Sequence, residues 1–415
     1  MKKISLLYIA FEAFFSLFLW LPVFYQFQKI IGLSDKQIFD IQSLYYLSFC
    51  LFEIPTGWIA DRWGYRLSLL LGSSVMVFSN LIPVFAPSFS GMLFHFLTIA
   101  AARSLISGAA SAYLFEELDR RGARERYKII EGHGRAWGLV GKILCWPLVG
   151  FLMSWHLTLP YIITAAFSAL SLFCIVLLPS DYHPSRPISD RPGGSQTSLK
   201  ACLATLGRSP LLLLLMLQGT LIFVMGRLQI TFYQPLLLER SITVTSLGGI
   251  MSIITLFEAV GSWGPSWLKR FKRSDLSWLF ILSTALALSW LLITASGSSL
   301  SIAGFCLFCL LIGLLTPIQK QVVNEAIPDS RFRATLLSLE SLLDRLLSAG
   351  IIALFGSFTA QGRLNEALIG FSILSLIAFG LMSLSWHRVS GRGTSLSGDS
   401  CKRSARPPAS HESLE

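Results

Sequence analysis

Ten charged side chains lie inside long apolar segments of this sequence, where a charge is costly unless it faces a protein interior or a water-filled cavity. Carboxylates in such places can take up and release protons. Arginine and lysine can hold an ionised carboxylate or an anionic group of a ligand. The sequence therefore offers acid–base and ion-binding chemistry at five acids and five bases: Glu12, Glu53, Arg103, Lys142, Arg227, Glu258, Lys320, Glu340, Asp344 and Arg345.

Glu12 is the leading candidate for proton chemistry. At 1.5 Å of rise per residue, Glu12 and Arg103 lie about 12 Å and about 18 Å from the predicted inner ends of their helices, and Lys142 lies at about 9 Å. We therefore expect Glu12 to take and release a proton, with Arg103 or Lys142 stabilising its ionised form. The competing interpretation is a permanent ion pair that fixes helix packing.

Four further residues complete the candidate set. Glu258 and Asp344 have predicted depths of about 13 to 14 Å, close to that of Glu12. Glu340 and Asp344 are one helical turn apart and form a second candidate site. Arg227 lies about 24 Å from the inner end of its helix, so it either extends to the outer surface or receives an anionic group of a ligand.

Composition predicts that apolar helices position these groups in a membrane. Of 415 residues, 53% are apolar and 14% are charged, and the mean hydropathy of +0.62 lies outside the range of water-soluble proteins. A spanning helix needs about 20 apolar residues. Hydropathy windows predict twelve spans, at residues 4–27, 38–60, 67–86, 92–115, 136–153, 160–178, 211–236, 243–267, 276–295, 300–322, 335–360 and 367–386.

The spans fall into two groups of six. We expect an N-terminal bundle at 1–178, a cytoplasmic linker rich in Pro, Ser and Gly at 179–210, a C-terminal bundle at 211–386 and a disordered tail at 387–415. Shifting the sequence by 205 residues aligns Glu53 with Glu258 and Gly108 with Gly313, which indicates a parallel internal repeat. The intramembrane charges avoid spans 3, 6, 9 and 12, so these spans are expected to face lipid.

The basic residues predict the orientation of the chain. With the N-terminus inside, 25 of the 34 Lys and Arg residues fall on the inner side, four in outer loops and five in the spans. This bias predicts that both termini are cytoplasmic. It also explains the net charge of +11 without a nucleic-acid partner. The compact length fits the inner membrane of a bacterial cell.

The loop between spans 2 and 3 reads Gly57-Trp58-Ile59-Ala60-Asp61-Arg62-Trp63-Gly64-Tyr65-Arg66. This loop resembles the signature loop of the major facilitator superfamily, and the twelve spans and two halves extend the resemblance over nearly the whole chain. The resemblance implies that Asp61, Arg62 and Arg66 hold the two halves together on the inner side and govern their rocking. Gly57 and Gly64 permit close helix approach and a tight turn there.

Two further motifs of that family are met in part. Arg103 with the following Ser107-Gly108-Ala109-Ala110 resembles a proton-coupling motif of span 4, although Gly108 comes one position late. Trp146-Pro147-Leu148-Val149-Gly150 resembles the antiporter motif of span 5, with Trp146 in place of its first glycine. The resemblance also implies that spans 1, 4, 7 and 10 line a central cavity.

Several kinds of chemistry are not expected from this sequence. The nearest approach to a phosphate-binding loop, at Gly141-Lys142, has Ala136 in place of the first glycine. The seven cysteines are scattered, and His95, which lies deepest in an apolar segment, has no metal-ligand partner at helical spacing. We therefore expect a protein that is not an enzyme and has no cofactor, metal site or disulfide.

These observations predict a secondary transporter that works by alternating access as a monomer in the lipid bilayer. Proton-coupled efflux of amphiphilic or drug-like small molecules is the preferred assignment. Proton-coupled uptake of a metabolite is the alternative within the same class. A transporter-like sensor or scaffold, which binds a ligand without moving it, is the alternative from a different class.

Overall fold

The computed structural model describes residues 2–179, 204, 206–271, 274–294, 297–328 and 333–403, with side chains as far as residue 386 except at 266, 267, 269 and 334. All regular secondary structure in these residues is helical, which confirms the predicted all-α class. Nearly all of the predicted linker, 179–210, lies outside the described residues. The end of the predicted tail, 404–415, also lies outside them.

The helices follow the predicted order of spans. The first half contains α1 (Lys2–Phe15), α2 (Phe24–Ile30), α3 (Asp35–Trp63), α4 (Tyr65–Phe85), α5 (Phe89–Ile106), α6 (Ala109–Arg120), α7 (Tyr127–Cys145), α8 (Val149–Trp155) and α9 (Leu159–Val176). The second half contains α10 (Pro210–Glu239), α11 (Val244–Trp263), α12 (Asp275–Ile293), α13 (Ser298–Ala326), α14 (Arg333–Ala360) and α15 (Leu364–Arg403).

Predicted spans 3 to 12 are all long and apolar enough to cross a membrane, and they are the ten segments in the described chain that meet this requirement. The predicted second span is the 29-residue α3, which carries Glu53, Asp61 and Arg62 in its inner part. The predicted first span is divided into α1 and α2. The helical order is therefore consistent with the predicted twelve spans.

Three predicted spans of the first half are interrupted where the sequence predicts continuous helices. Span 1 breaks between Phe15 and Leu21, where a short 3-10 helix containing Pro22 leads into α2. Span 4 breaks at Gly108, whose φ of +78° is a left-handed conformation that glycine adopts without strain. Span 5 breaks at the 3-10 helix Trp146–Leu148, because Pro147 supplies no backbone N–H.

Polar caps mark where several helices begin. Ser34 caps α3 by accepting a hydrogen bond from the Gln37 backbone N–H, and the Gln37 side chain completes a capping box. Ser88 caps α5 and Ser274 caps α12 in the same manner. Each cap satisfies a backbone donor that the helix itself leaves unpaired.

Two helices extend well beyond their predicted bounds. The fifth span begins at Tyr127 instead of 136, so Glu131 and Arg135 belong to α7 and not to a loop. Hydropathy missed this turn because its charged residues lower the local average, while Ile130 and Gly134 on its other face are buried. Helix α15 continues to Arg403, past residue 387, where a disordered tail is predicted.

The two halves pair their helices in the same way. Helix α3 contacts α5 in the first half as α11 contacts α13 in the second, and α1 contacts α7 as α10 contacts α14. This correspondence agrees with the internal repeat at an offset of 205. Helices α4, α9, α12 and α15 expose large apolar side chains along their length, as lipid-facing helices do.

Candidate functional site

A cavity of about 340 Å³ lies between the two halves. Its wall combines side chains of α1, α3, α5 and α7 with side chains of α10. The wall is rich in aromatic side chains, which come from Phe15, Phe18, Trp20, Phe24, Tyr45, Tyr46 and Phe96. This arrangement offers an apolar enclosure into which a small number of polar groups project.

Three basic side chains line this cavity: Arg103, Lys142 and Arg227. Arg103 Nη1 donates a hydrogen bond to Tyr45 Oη at 2.7 Å, and its guanidinium carbon lies 5.9 Å from the centre of the Phe18 ring. Lys142 Nζ lies 5.9 Å from the centre of the Trp146 ring. The predicted candidates from spans 4, 5 and 7 therefore meet at one place.

Arg227 is paired inside the protein. Its Nε donates to Asp344 Oδ1 at 2.9 Å, and its guanidinium carbon lies 5.0 Å from the centre of the Tyr46 ring. The Asp344 side chain is 6% exposed. Since its charge is compensated by Asp344 on α14, Arg227 turns inward, and the alternative of an extension to the outer surface is wrong.

Glu12 belongs to a polar network that is separate from the three basic residues of the cavity wall. Tyr8 Oη donates to Glu131 Oε2 at 2.9 Å and lies 3.4 Å from Glu12 Oε1. Ser111 Oγ and Arg135 Nη2 donate to Glu131 Oε1 at 3.1 and 3.3 Å. We expected Arg103 or Lys142 to stabilise Glu12. In the structure, the partner of Glu12 is instead the fully buried hydroxyl group of Tyr8, which also contacts Glu131.

Three glycines of α7 bring this network together. A Cβ built at Gly134 would approach Glu12 Cβ to 3.0 Å, one at Gly138 would approach Ser16 Oγ to 2.4 Å, and one at Gly141 would approach Leu17 Cδ2 to 2.8 Å. Small residues on one face of a helix allow such close helix approach. The spacing of the glycines therefore allows α7 to pack closely on α1, and this packing brings Glu131 near Glu12.

The remaining candidates are not among the residues that line the cavity. Glu258 on α11 interacts electrostatically with Lys142 across the two halves. Glu340 is buried near Gln319 and Gly219. Glu53 on α3 pairs with Arg345 on α14, with Oε2 and Nη1 separated by 2.6 Å, as expected of a structural charge.

The two halves are joined at their outer ends. Gln234 Oε1 accepts a hydrogen bond from Tyr25 N, and Gln234 Nε2 donates to Leu21 O, both at 2.9 Å. Ser43 Oγ on α3 donates to Ala349 O on α14 at 2.8 Å. Gly248 on α11 packs on the Trp146 carbonyl, where a Cβ would lie 1.9 Å from the oxygen.

Helices α3 and α14 pack against each other across the two halves. Glu53 and Arg345 form an ion pair between them, and a Cβ at Gly57, one turn further along α3, would have no heavy atom within 4 Å. Arg103 is exposed although it lies on a cavity wall between helices. The hydrogen bonds of Gln234 and Ser43 therefore close the cavity at its outer end.

Comparison with known proteins identifies the family. The Major Facilitator Superfamily model matches residues 6–343, most of the chain. The chain belongs to the Major Facilitator Superfamily. This membership confirms the resemblance carried by the signature loop, and it makes the protein a multi-pass membrane transporter and not an enzyme.

Solved structures share the fold of this major facilitator at low sequence identity. The nucleoside transporter NupG, as a point mutant, has a TM-score of 0.72 and 15% identity over 92% of this chain and 100% of its own. A POT family transporter in complex with a thioalcohol conjugated peptide has a TM-score of 0.74 and 16% identity, over 94% and 96%.

A third structure is a bacterial homolog of the human lysosomal transporter Spinster, in an inward-facing and occupied conformation. It has a TM-score of 0.66 and 16% identity, over 93% of this chain and 96% of its own. No curated protein is significantly similar to the sequence. At these identities the solved structures establish the fold of the chain and leave its substrate to be inferred from the cavity.

The signature loop of this major facilitator has a defined local structure. Gly64 has a φ of +92°, which a tight turn between α3 and α4 requires. Arg66 Nε and Nη2 donate to the carbonyls of Leu178 and Val176 at 3.1 and 2.9 Å, and so cap the end of α9. Arg62 stacks on Trp58, and Asp61 is exposed.

Sequence reasoning missed Tyr8, Glu131 and Gln234. Hydropathy does not distinguish Tyr8 from the other residues of span 1, and the predicted start of span 5 at 136 leaves Glu131 in a loop. A signal for Glu131 is present in the glycine spacing of the helix that carries it. Nothing in the sequence indicates that Gln234 reaches the other half, because its partners are backbone atoms some 210 residues away.

Proposed function

We propose that this protein is a proton-coupled secondary transporter that moves a small amphiphilic molecule through the central cavity by alternating access. The observation that carries the proposal is the cavity itself, which is lined by both halves and is closed on one side. A rocking movement of the two halves would close the inner side and open the outer side. We infer export as the direction of transport and the inner membrane of a bacterial cell as its location.

Proton coupling rests on Glu12 and its surroundings. Glu12 is joined through Tyr8 to Glu131, so one hydroxyl bridges two carboxylates on α1 and α7. A proton can be held at either carboxylate and passed along the bridge. Glu12 is near Phe15 and Ser16 of the cavity wall, which places this network within one helical turn of a bound molecule.

Proton-coupled uptake of a metabolite is the second candidate. The observation that favours it is the set of three basic side chains in the cavity, which suits a defined polar substrate better than a broad range of lipophilic compounds. Both candidates use the same cavity and the same alternating movement. They differ in direction and in the breadth of the substrate range.

Inverted membrane vesicles with a preformed proton gradient provide the test. Vesicles with the protein and empty vesicles receive a panel of lipophilic cations, antibiotics, sugars and organic acids, while internal pH is followed. Compound-specific proton release that disappears in Glu12→Gln supports antiport with Glu12 as the carrier. Binding of a compound without any flux would contradict transport and would favour a sensor or scaffold.

A further inference from the structure

The charge of the cavity wall points to a class of substrate, an inference that rests on the proposed function. Every charged side chain that lines the cavity is basic, and no carboxylate of the described chain lines it. Arg227 is already compensated by Asp344. Arg103 and Lys142 have no carboxylate oxygen of the described residues within 4.0 Å, although Glu258 attracts Lys142 from a greater distance.

Unused hydrogen-bond donors occur on the same wall. A guanidinium group carries five N–H donors, and Arg103 gives one hydrogen bond, to Tyr45. Gln42, also on the wall, is 6% exposed, and its Nε2 has no hydrogen-bond partner among the described residues. Buried donors are normally satisfied, so Gln42 Nε2 indicates a ligand that supplies an acceptor. The remaining N–H groups of Arg103, which is exposed, can donate to the same ligand.

The rest of the wall defines the body of that ligand. Phe15, Phe18, Phe96 and Ile99 present apolar surface around the charged groups. A volume of about 340 Å³ lies at the lower end of the range of ligand pockets, which is roughly 300 to 1,000 Å³. The cavity therefore suits a small molecule that has an aromatic or aliphatic body and one acidic group.

We propose that the cavity selects small organic anions, whose carboxylate, phosphonate or sulfonate group is bound by Arg103 and Lys142 with a hydrogen bond from Gln42. Arginine and lysine form strong charge-assisted hydrogen bonds with such oxyanions. Lipophilic cations are disfavoured, because two basic groups without a close counter-ion would repel them. The amphiphilic substrate of the proposed function is thus an acid and not an amine.

Matched ligands test this assignment by thermal unfolding of the purified full-length protein. Naphthalene-2-carboxylate and naphthalene-2-phosphonate are expected to raise the unfolding temperature with increasing concentration. Naphthalene-2-carboxamide and 2-naphthylmethylamine, which share the ring system, are expected to leave it unchanged. Equal stabilisation by the acid, the amide and the amine would overturn the proposal, as would no stabilisation by either acid.

Variants locate the effect in the cavity. Arg103→Gln is expected to weaken the apparent affinity for the acids by about tenfold or more, the loss of one charge-assisted hydrogen bond. Lys142→Gln is a second variant in case Arg103→Gln fails to fold. Arg363→Gln removes a surface charge that pairs with Glu366 and is the matched control. Unchanged acid binding in both cavity variants would overturn the proposal.

Flux measurements separate this inference from the proposed function. If binding of the acids depends on Arg103 but the acids do not cross the membrane of proteoliposomes, the anion site is supported and the transport proposal is contradicted. If cations or neutral compounds are transported equally by wild type and Arg103→Gln, transport stands and the anion site is contradicted.

Discussion

At the scale of single residues, Glu12 and Glu131 are two carboxylates that depend on one tyrosine. Tyr8 is fully buried, so the hydroxyl that joins them has no bulk water to replace it. Arg135 pairs with Glu131 and attracts Glu12 from a greater distance, but Glu12 has no basic group of the described residues within 4.0 Å as in an ion pair. Glu12 therefore remains the proton carrier of our proposal, with Glu131 as its partner.

Replacement of Glu12 by glutamine tests this role. We expect Glu12→Gln to fold normally, because the amide can accept the hydrogen bond from Tyr8, but to lose accumulation against a gradient while exchange of substrate continues. Proton-driven transport and exchange are measured in the same proteoliposomes, with Glu366→Gln as a surface control. A large fall in unfolding temperature with the coupling intact would show a structural role.

The pair of Arg227 and Asp344 gives a prediction about stability. Asp344→Asn leaves a guanidinium without its counter-ion between the helices, which typically costs about 3 to 5 kcal/mol in the free energy of unfolding. Thermal unfolding should show a marked loss of stability that Arg227→Gln partly restores in the double variant. The matched control is Glu366→Gln, which breaks an exposed pair on the surface. Equal stability of Asp344→Asn and the control would contradict the pairing.

At the scale of helices, glycines decide where the two halves touch. Gly150 lies against the backbone of Val244 and Thr245, and Gly248 lies against the backbone of Trp146 and Pro147. Backbone atoms cannot change conformation to relieve a steric clash as easily as a flexible side chain can. These contacts between α8, α11 and the 3-10 helix at Trp146 therefore form a rigid part of the outer closure.

Adjacent glycines offer a matched test of that closure. A Cβ at Gly248 would collide with the Trp146 carbonyl, whereas a Cβ at Gly249 would meet no heavy atom within 4 Å. We expect Gly248→Ala to open the outer side and to increase the labelling of cysteines placed in the cavity by an outside reagent. Gly249→Ala should behave as wild type. Equal labelling of the two variants would contradict the role of this contact.

The sequence predicted the helices better than it predicted their contacts. The lengths of the apolar segments and the basic residues of the loops were sufficient to predict the order of the spans. The charges of Arg103, Lys142 and Arg227 inside apolar spans were sufficient to select these residues as candidates. The partner of Glu12 was not predictable, because Glu131 belongs to a helical turn whose charges resemble those of a loop. The break at Gly108 depends on backbone geometry, which hydropathy does not register.

At the scale of the whole molecule, the described arrangement is one of the two states that our proposal of alternating access requires. The halves are joined through Gln234 and Gly248 on the outer side. In the proposed mechanism, a substrate reaches the cavity of this state from the inner side. The opposite arrangement must break the outer contacts and form new ones near the signature loop.

The most direct test of this account is the distance between spin labels on the two halves, measured in proteoliposomes. One pair, at Lys36 and Arg363, reports on the outer side, and the other, at Arg121 and Arg270, reports on the inner side. We predict that a proton gradient with transported substrate lengthens the outer distances in part of the population and shortens the inner ones in the same part. Distances on both sides that stay fixed while substrate is transported would contradict alternating access around this cavity.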